Sequence, residues 1–178
     1  MVLVFLADGF EEIEAVTVID LLRRAGVETR VVGIDKKKVT GAHGITLCCD
    51  LQDTEADLKS VEMMVLPGGM PGTINLENSR TVQAFLSHCE QNNCFVAAIC
   101  AAPTVLGHRN LLQGRRATCF PGMEEELYGA QYTGAAVETD GKIITGRAAG
   151  TAMDFALELV RALRGDEAAR RVETSLVR

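Results

Sequence analysis

A chain of 178 residues, 47% hydrophobic with 4 Pro, is long enough for one well-cored domain and too apolar for a disordered one. Its longest apolar runs fall short of the roughly 20 residues that cross a bilayer, which excludes a membrane span and predicts a soluble protein. A net charge of −6 and a pI near 5.1 exclude the footprint of a nucleic-acid binder.

The basic clusters Lys36-Lys37-Lys38 and Arg115-Arg116 are too short to change that balance and read as solvated turns. The chain opens on Val2-Leu3-Val4-Phe5-Leu6 without the basic start and cleavage site of a secretory signal, so a cytoplasmic location is expected. Cysteines at 48, 49, 89, 94, 100 and 119 form no CxxC pair, and no histidine lies at metal-ligand spacing to one. Neither a zinc site nor a disulfide framework is indicated, and most of these thiols read as small buried hydrophobes.

In chain order, residues 2–6 form the first predicted strand. Phe10, Glu14, Val18, Leu21 and Ala25 then share one helical stripe, with Glu12 and Arg23 opposite. A strand over 28–34 leads into residues 35–49, a Lys-rich turn followed by Val39-Thr40 and Ile45-Thr46-Leu47-Cys48, read as a small β excursion outside the main sheet. A strand over 63–66 precedes a helix with an Asn78-Ser79 cap and the apolar stripe Val82, Phe85, Leu86 and Cys89. Residues 95–99 form a buried strand, 102–106 a short helix with Pro103 in its first turn, and 142–145 a last strand. Ala152, Phe155, Ala156, Leu159, Val160 and Leu163 repeat at helical spacing until Gly165, after which 166–172 reads as a final helix capped by Asp166. Strands as apolar as Phe95-Val96-Ala97-Ala98-Ile99 have no solvent side, so the fold class is α/β, a single doubly wound domain over 1–178 with a mostly parallel sheet between helices.

In such a sheet the ligand crevice lies past the carboxyl ends of the strands. Three loops meet that condition: Asp8-Gly9-Phe10-Glu11-Glu12-Ile13-Glu14, Pro67-Gly68-Gly69-Met70-Pro71-Gly72 and Cys100-Ala101-Ala102-Pro103-Thr104. Cys100 sits at a strand-to-helix elbow, where amides of the helix start should lower its pKa. Glu14 is a carboxyl centred on an apolar stripe, so its pKa should rise and it should hold or shuttle a proton beside the thiol. Glu11 and Glu12 read as ordinary first-turn acids. Gly68-Gly69 leaves backbone N–H groups free to face a ligand, as an oxyanion site requires. His43 reads as a surface loop residue, and His88 and His108 have no partner pattern. With neither GxGxxG nor a Walker lysine, no nucleotide cofactor is expected.

The segments Leu6-Ala7-Asp8-Gly9-Phe10-Glu11-Glu12-Ile13-Glu14-Ala15-Val16, Val65-Leu66-Pro67-Gly68-Gly69 and Val96-Ala97-Ala98-Ile99-Cys100-Ala101-Ala102-Pro103 resemble the DJ-one branch of the ThiJ/PfpI superfamily. The similarity continues through Asp20–Gly26 and Thr145–Leu157. The resemblance implies a flavodoxin-like sandwich, a homodimer, no metal or organic cofactor, Cys100 as an oxidisable nucleophile, Glu14 as its protonated partner, and Gly69 and Ala101 amides as the oxyanion hole. It also implies substrates among small reactive carbonyls such as methylglyoxal or glycated side chains, and roles in deglycation, chaperoning and oxidative stress. Gly68, His43 and Phe120 would then border the substrate pocket. The histidine that follows the nucleophile in the protease-like branch is here Ala101, which argues against peptidase action. The family's arginine aligns with His43, its Gly-Pro-Gly-Thr with Ala148-Ala149-Gly150-Thr151, and a histidine of some animal relatives with Phe120. A redox sensor or holdase built on Cys100 oxidation is the rival reading. An amidotransferase-like hydrolase is disfavoured, because no histidine follows His108.

Overall fold

The computed structural model describes residues 1–177. In chain order the strands are β1 (Val2–Leu6), β2 (Thr29–Gly33), β3 (Lys38–Thr40), β4 (Thr46–Cys48), β5 (Leu51–Gln52), β6 (Met63–Leu66), β7 (Phe95–Ile99), β8 (Arg116–Ala117), β9 (Gln131–Tyr132), β10 (Val137–Asp140) and β11 (Ile143–Gly146). The helices are α1 (Glu12–Arg24), α2 (Gly72–Asn78), α3 (Arg80–Asn92), α4 (Pro103–His108) and α5 (Ala152–Ser175). Seven strands form the main sheet in the order β10-β11-β7-β6-β1-β2-β5, parallel throughout except for β10.

Alternation along each strand divides the core in two. Val2, Val4 and Leu6 face the layer of α1 and α5 with Val18, Leu22, Phe155 and Leu159, whereas Leu3, Phe5 and Ala7 face the layer of α3 and α4 with Val82, Phe85 and Leu106. Because both faces are covered, the five residues of β1 are all buried, which is why this strand reads as an unbroken apolar run. The chain leaves β1 for β2 on one side and returns to β6 on the other. The loops after β1 and β6 therefore diverge at the point where strand order reverses, and the loop after β7 opens beside them.

The excursion over 35–49 is the two-stranded β3-β4 pair, separate from the main sheet. Four strands were not foreseen: β5, β8, β9 and β10. β10 is the antiparallel edge strand whose hairpin to β11 turns at Gly141 and Lys142, the former at φ 63°. Its residues are only half buried, so it lacks the apolar run that marks its neighbours. Gly165, at φ 82°, breaks α5 as expected, the final helix expected after it runs on to Ser175, and the Asp166 carboxylate pairs with Arg161. The basic clusters are not free in solvent: Lys36 pairs with Asp8, Lys37 with Glu55, Arg115 with Asp140 and Arg116 with Glu138. These pairs are largely exposed and each adds little stability.

Candidate active site

Cys100 follows the last residue of β7 and holds φ 65°, a left-handed conformation that a non-glycine residue adopts at a cost of about 1–2 kcal/mol. Hydrogen bonds on both sides fix it there. Its N–H donates to the Gly146 carbonyl (3.0 Å) and its carbonyl accepts from the Phe120 N–H (2.8 Å). Ala102 and Pro103 then enter α4 directly, so the side chain projects from the turn rather than along the strand.

Glu14 lies in the first turns of α1 and is 0% exposed. One carboxyl oxygen, Oε2, accepts the Gly68 N–H at 2.8 Å. The other, Oε1, is buried without a hydrogen-bond partner, and the Cys100 thiol is the neighbouring group that acts on the carboxyl. Burial pushes Glu14 up to about 7, against the Cys100 thiol and the Gly68 amide, which favour the charged form. The sequence-based expectation for Glu14 is met in direction and cause. For Cys100 it is reversed. Burial, and next the charge of Glu14, push the thiol up to about 12, outweighing the Ala101 and Gly69 amides that favour a thiolate. A carboxylate and a thiolate cannot both persist in this pocket, so the two groups share their protons as one coupled unit. The same two amides were the ones assigned to the oxyanion hole, and both face the sulfur.

Glycines permit this approach. A Cβ on Gly68 would stand 2.7 Å from the Cys100 Cβ and 2.9 Å from Glu14 Oε2. Gly69 holds φ 90°, and a Cβ there would meet the Glu11 amide nitrogen at 2.4 Å. Gly68→Ala is expected to force thiol and carboxyl apart, slow alkylation of Cys100 by iodoacetamide several-fold, and destabilise the fold by about 1–3 kcal/mol. Thermal melts and a timed alkylation series measure both effects.

One first-turn acid departs from its expected role. Glu12 is buried although it lies opposite the apolar stripe, because the β3-β4 loop covers it. Its carboxylate accepts the backbone N–H groups of His43 (2.8 Å) and Ile45 (3.3 Å) and pairs with the His43 ring at 2.9 Å. A helical wheel sees only the helix and cannot report a loop arriving from elsewhere. His43 itself is exposed, as read, and its polar partners are Glu11 and Glu12 rather than Cys100 or Glu14. Ligand atoms of Glu11, Glu12 and His43 lie within 4.8 Å of one another, the described cluster nearest to metal-ligand spacing, but Glu12 is already occupied as the clamp on this loop. His108 has partners that the sequence did not reveal: its ring reaches Glu77 at 2.5 Å and Glu126 at 2.9 Å. Phe120 is 46% exposed, and its backbone N–H donates to the Cys100 carbonyl.

The sequence profile of the DJ-1/PfpI family matches residues 1–162. Among curated proteins, the chain is 36% identical to the Parkinson disease protein 7 homolog of Danio rerio, covering 98% of this chain and 95% of that one. It is 37% identical to protein DJ-1 homolog B of Arabidopsis thaliana, covering 99% of this chain but only 41% of that longer protein. A Thermococcus kodakarensis protein named deglycase TK1284 is 32% identical over 92% of this chain and 99% of its own length. Among solved structures, Toxoplasma gondii DJ-1 in an oxidized form superimposes with a TM-score of 0.95 at 33% identity, over 99% and 97% of the two chains. Drosophila melanogaster DJ-1beta does so at 0.93 and 34%, over 99% and 96%.

Proposed function

Since this chain belongs to the DJ-1/PfpI family, with its flavodoxin-like fold, we propose that it is a cofactor-independent thiol enzyme that converts methylglyoxal to lactate without glutathione and reverses early glycation adducts. The observation that carries this reading is the half-buried Cys100 beside the buried Glu14, with the Gly69 and Ala101 amides facing the sulfur. A relative named as a deglycase supports it.

As the Cys100 sulfur adds to the aldehyde carbon, Glu14 takes the thiol proton, and the oxyanion that forms, held by the Gly69 and Ala101 amides, takes that proton back to complete the hemithioacetal. Glu14, poised near neutrality, takes the proton from C1 of the hemithioacetal and returns it to C2 through an enediol. The product is a lactoyl thioester on Cys100, and water hydrolyses it to lactate and the free thiol. The test is lactate formation from methylglyoxal by the purified protein and by Cys100→Ser, with glutathione absent. Cys100-dependent lactate supports the enzyme, and none from folded wild-type protein sinks it.

A second reading rests on Glu14 Oε1, which lacks a hydrogen-bond partner. A protonated Glu14 would donate to a Cys100 sulfinate and stabilise it, making the protein a redox sensor or chaperone. That outcome requires about two added oxygens at Cys100 under mild peroxide together with negligible carbonyl turnover.

The proposed assembly is a homodimer. Ile13 (57% exposed) and Val16 (45% exposed) stand one turn apart on the outer face of α1, and Ile45 is exposed on the neighbouring loop that Glu12 holds. Such a patch at the edge of a site suits a second copy of the chain. Val16→Glu is expected to convert a dimer to a monomer in sedimentation equilibrium; wild-type protein that sediments as a monomer removes the proposal. Among the described residues no helix is long and apolar enough to cross a membrane, and a cytoplasmic setting is part of this proposal.

A further inference from the structure

At the end of β7 opposite Cys100, α3 closes in a turn that brings two other thiols together. Asn93 is left-handed at φ 55°, and the Asn93 and Cys94 N–H groups both donate to the Cys89 carbonyl, the latter at 3.0 Å. A helix that ends this way packs the side chains of the bonded pair against each other, and the pair is ordinarily apolar. Here both residues are cysteine. Cys89 is the buried last member of the α3 stripe, and Cys94 is half-buried with its sulfur 3.4 Å from the Val61 carbonyl. The thiols are within interacting range of each other: burial, and next the Cys94 thiol, push Cys89 up to about 12. Both line a cavity of about 240 Å³ with Arg115 and Lys142, which gives a small oxidant access to the pair. None of these residues takes part in the Cys100 site.

We propose that Cys94 and Cys89 are a second redox site, in which peroxide oxidation of Cys94 is resolved by Cys89 into an intramolecular disulfide. The Cys94 sulfur attacks one peroxide oxygen and breaks the O–O bond, giving a sulfenic acid and water. The Cys89 sulfur then displaces the sulfenic hydroxyl, whose departure with the Cys89 proton releases a second water. Peroxide is reduced by two electrons and the two thiols are oxidised. The half-buried Cys94 is the entry point, and the fully buried Cys89 reacts only with the thiol that the helix end sets beside it.

The test uses full-length Cys100→Ser protein, which removes the competing thiol, treated with hydrogen peroxide, denatured, alkylated and cleaved after glutamate. Cleavage after Glu90 separates Cys89 from Cys94 unless a disulfide joins them. The expected result is a linked pair of fragments, with the intact chain lighter by two hydrogen atoms. Both signals should return to the unoxidised state with dithiothreitol and be missing in the additional variant Cys94→Ser, whose half-buried site tolerates a hydroxyl. Fragments that separate after peroxide, whether Cys94 has gained oxygen or remains alkylatable, overturn the proposal.

Discussion

Cys100→Ser is expected to lower kcat for lactate formation from methylglyoxal by at least about 10³-fold while leaving KM within a few-fold of wild type. A serine hydroxyl fits the elbow, because φ 65° and the bonds to Gly146 and Phe120 involve only the backbone. The thiol proton is already hard to remove in this pocket, where burial and Glu14 push the group up to about 12. A hydroxyl, intrinsically a far weaker acid, would not ionise there, and the oxyanion amides would have no adduct to stabilise. Steady-state kinetics with lactate detection measure the loss. Turnover within tenfold of wild type would show that the chemistry is not on this sulfur.

Glu14→Gln is expected to damage activity and strengthen the fold together. Glutamine retains the acceptor for the Gly68 N–H but cannot carry a proton between C1 and C2, so kcat should fall by roughly 10²–10⁴-fold. Stability moves the other way. The folded-state pKa of Glu14, about 7, lies above the ordinary carboxylate value of 4.5. The stability linked to its buried proton is therefore fully present below about pH 4.5 and lost as pH rises through about 7. The variant has no such proton to lose. At pH 8 it should exceed wild type by up to about 3 kcal/mol, a gain that shrinks toward zero near pH 4.5. Urea melts of both proteins across this range provide the check. A pH-independent difference would mean that Glu14 titrates normally and that the carboxyl does not hold a proton in the pocket.

The parts of this site that were legible in the sequence are those where one element carries its own signal. β1 and β7 are covered on both faces and therefore read as apolar runs, and Glu14 stood out as a carboxyl among Phe10, Val18 and Leu21. Cys100 was legible because strand, thiol and helix start follow one another without a gap. What escaped depends on segments distant in the chain. Glu12 is buried by a loop some thirty residues on, and His108 is placed by Glu77 from α2 and Glu126 from the 3₁₀ turn at Glu124–Glu126. The acidity of Cys100 was misread for the same reason. The local amides are visible in the sequence, while the burial that outweighs them, and next the charge of Glu14, come from elements elsewhere in the chain. β10 had a signal that could have been used, Gly141 at the first position of a two-residue hairpin turn.

The five-residue strand β7 is also a spacer of fixed length. Cys94 immediately precedes it and Cys100 immediately follows. At about 3.3 Å per residue their Cα atoms are held roughly 20 Å apart, whereas a disulfide needs a Cα separation under about 7 Å. β7 is hydrogen-bonded to β6 on one side and β11 on the other, so it cannot bend to close that gap without tearing the centre of the sheet. Within one folded chain, electrons taken from one thiol centre cannot be returned by exchange with the other, and each must be reduced by its own donor from solution.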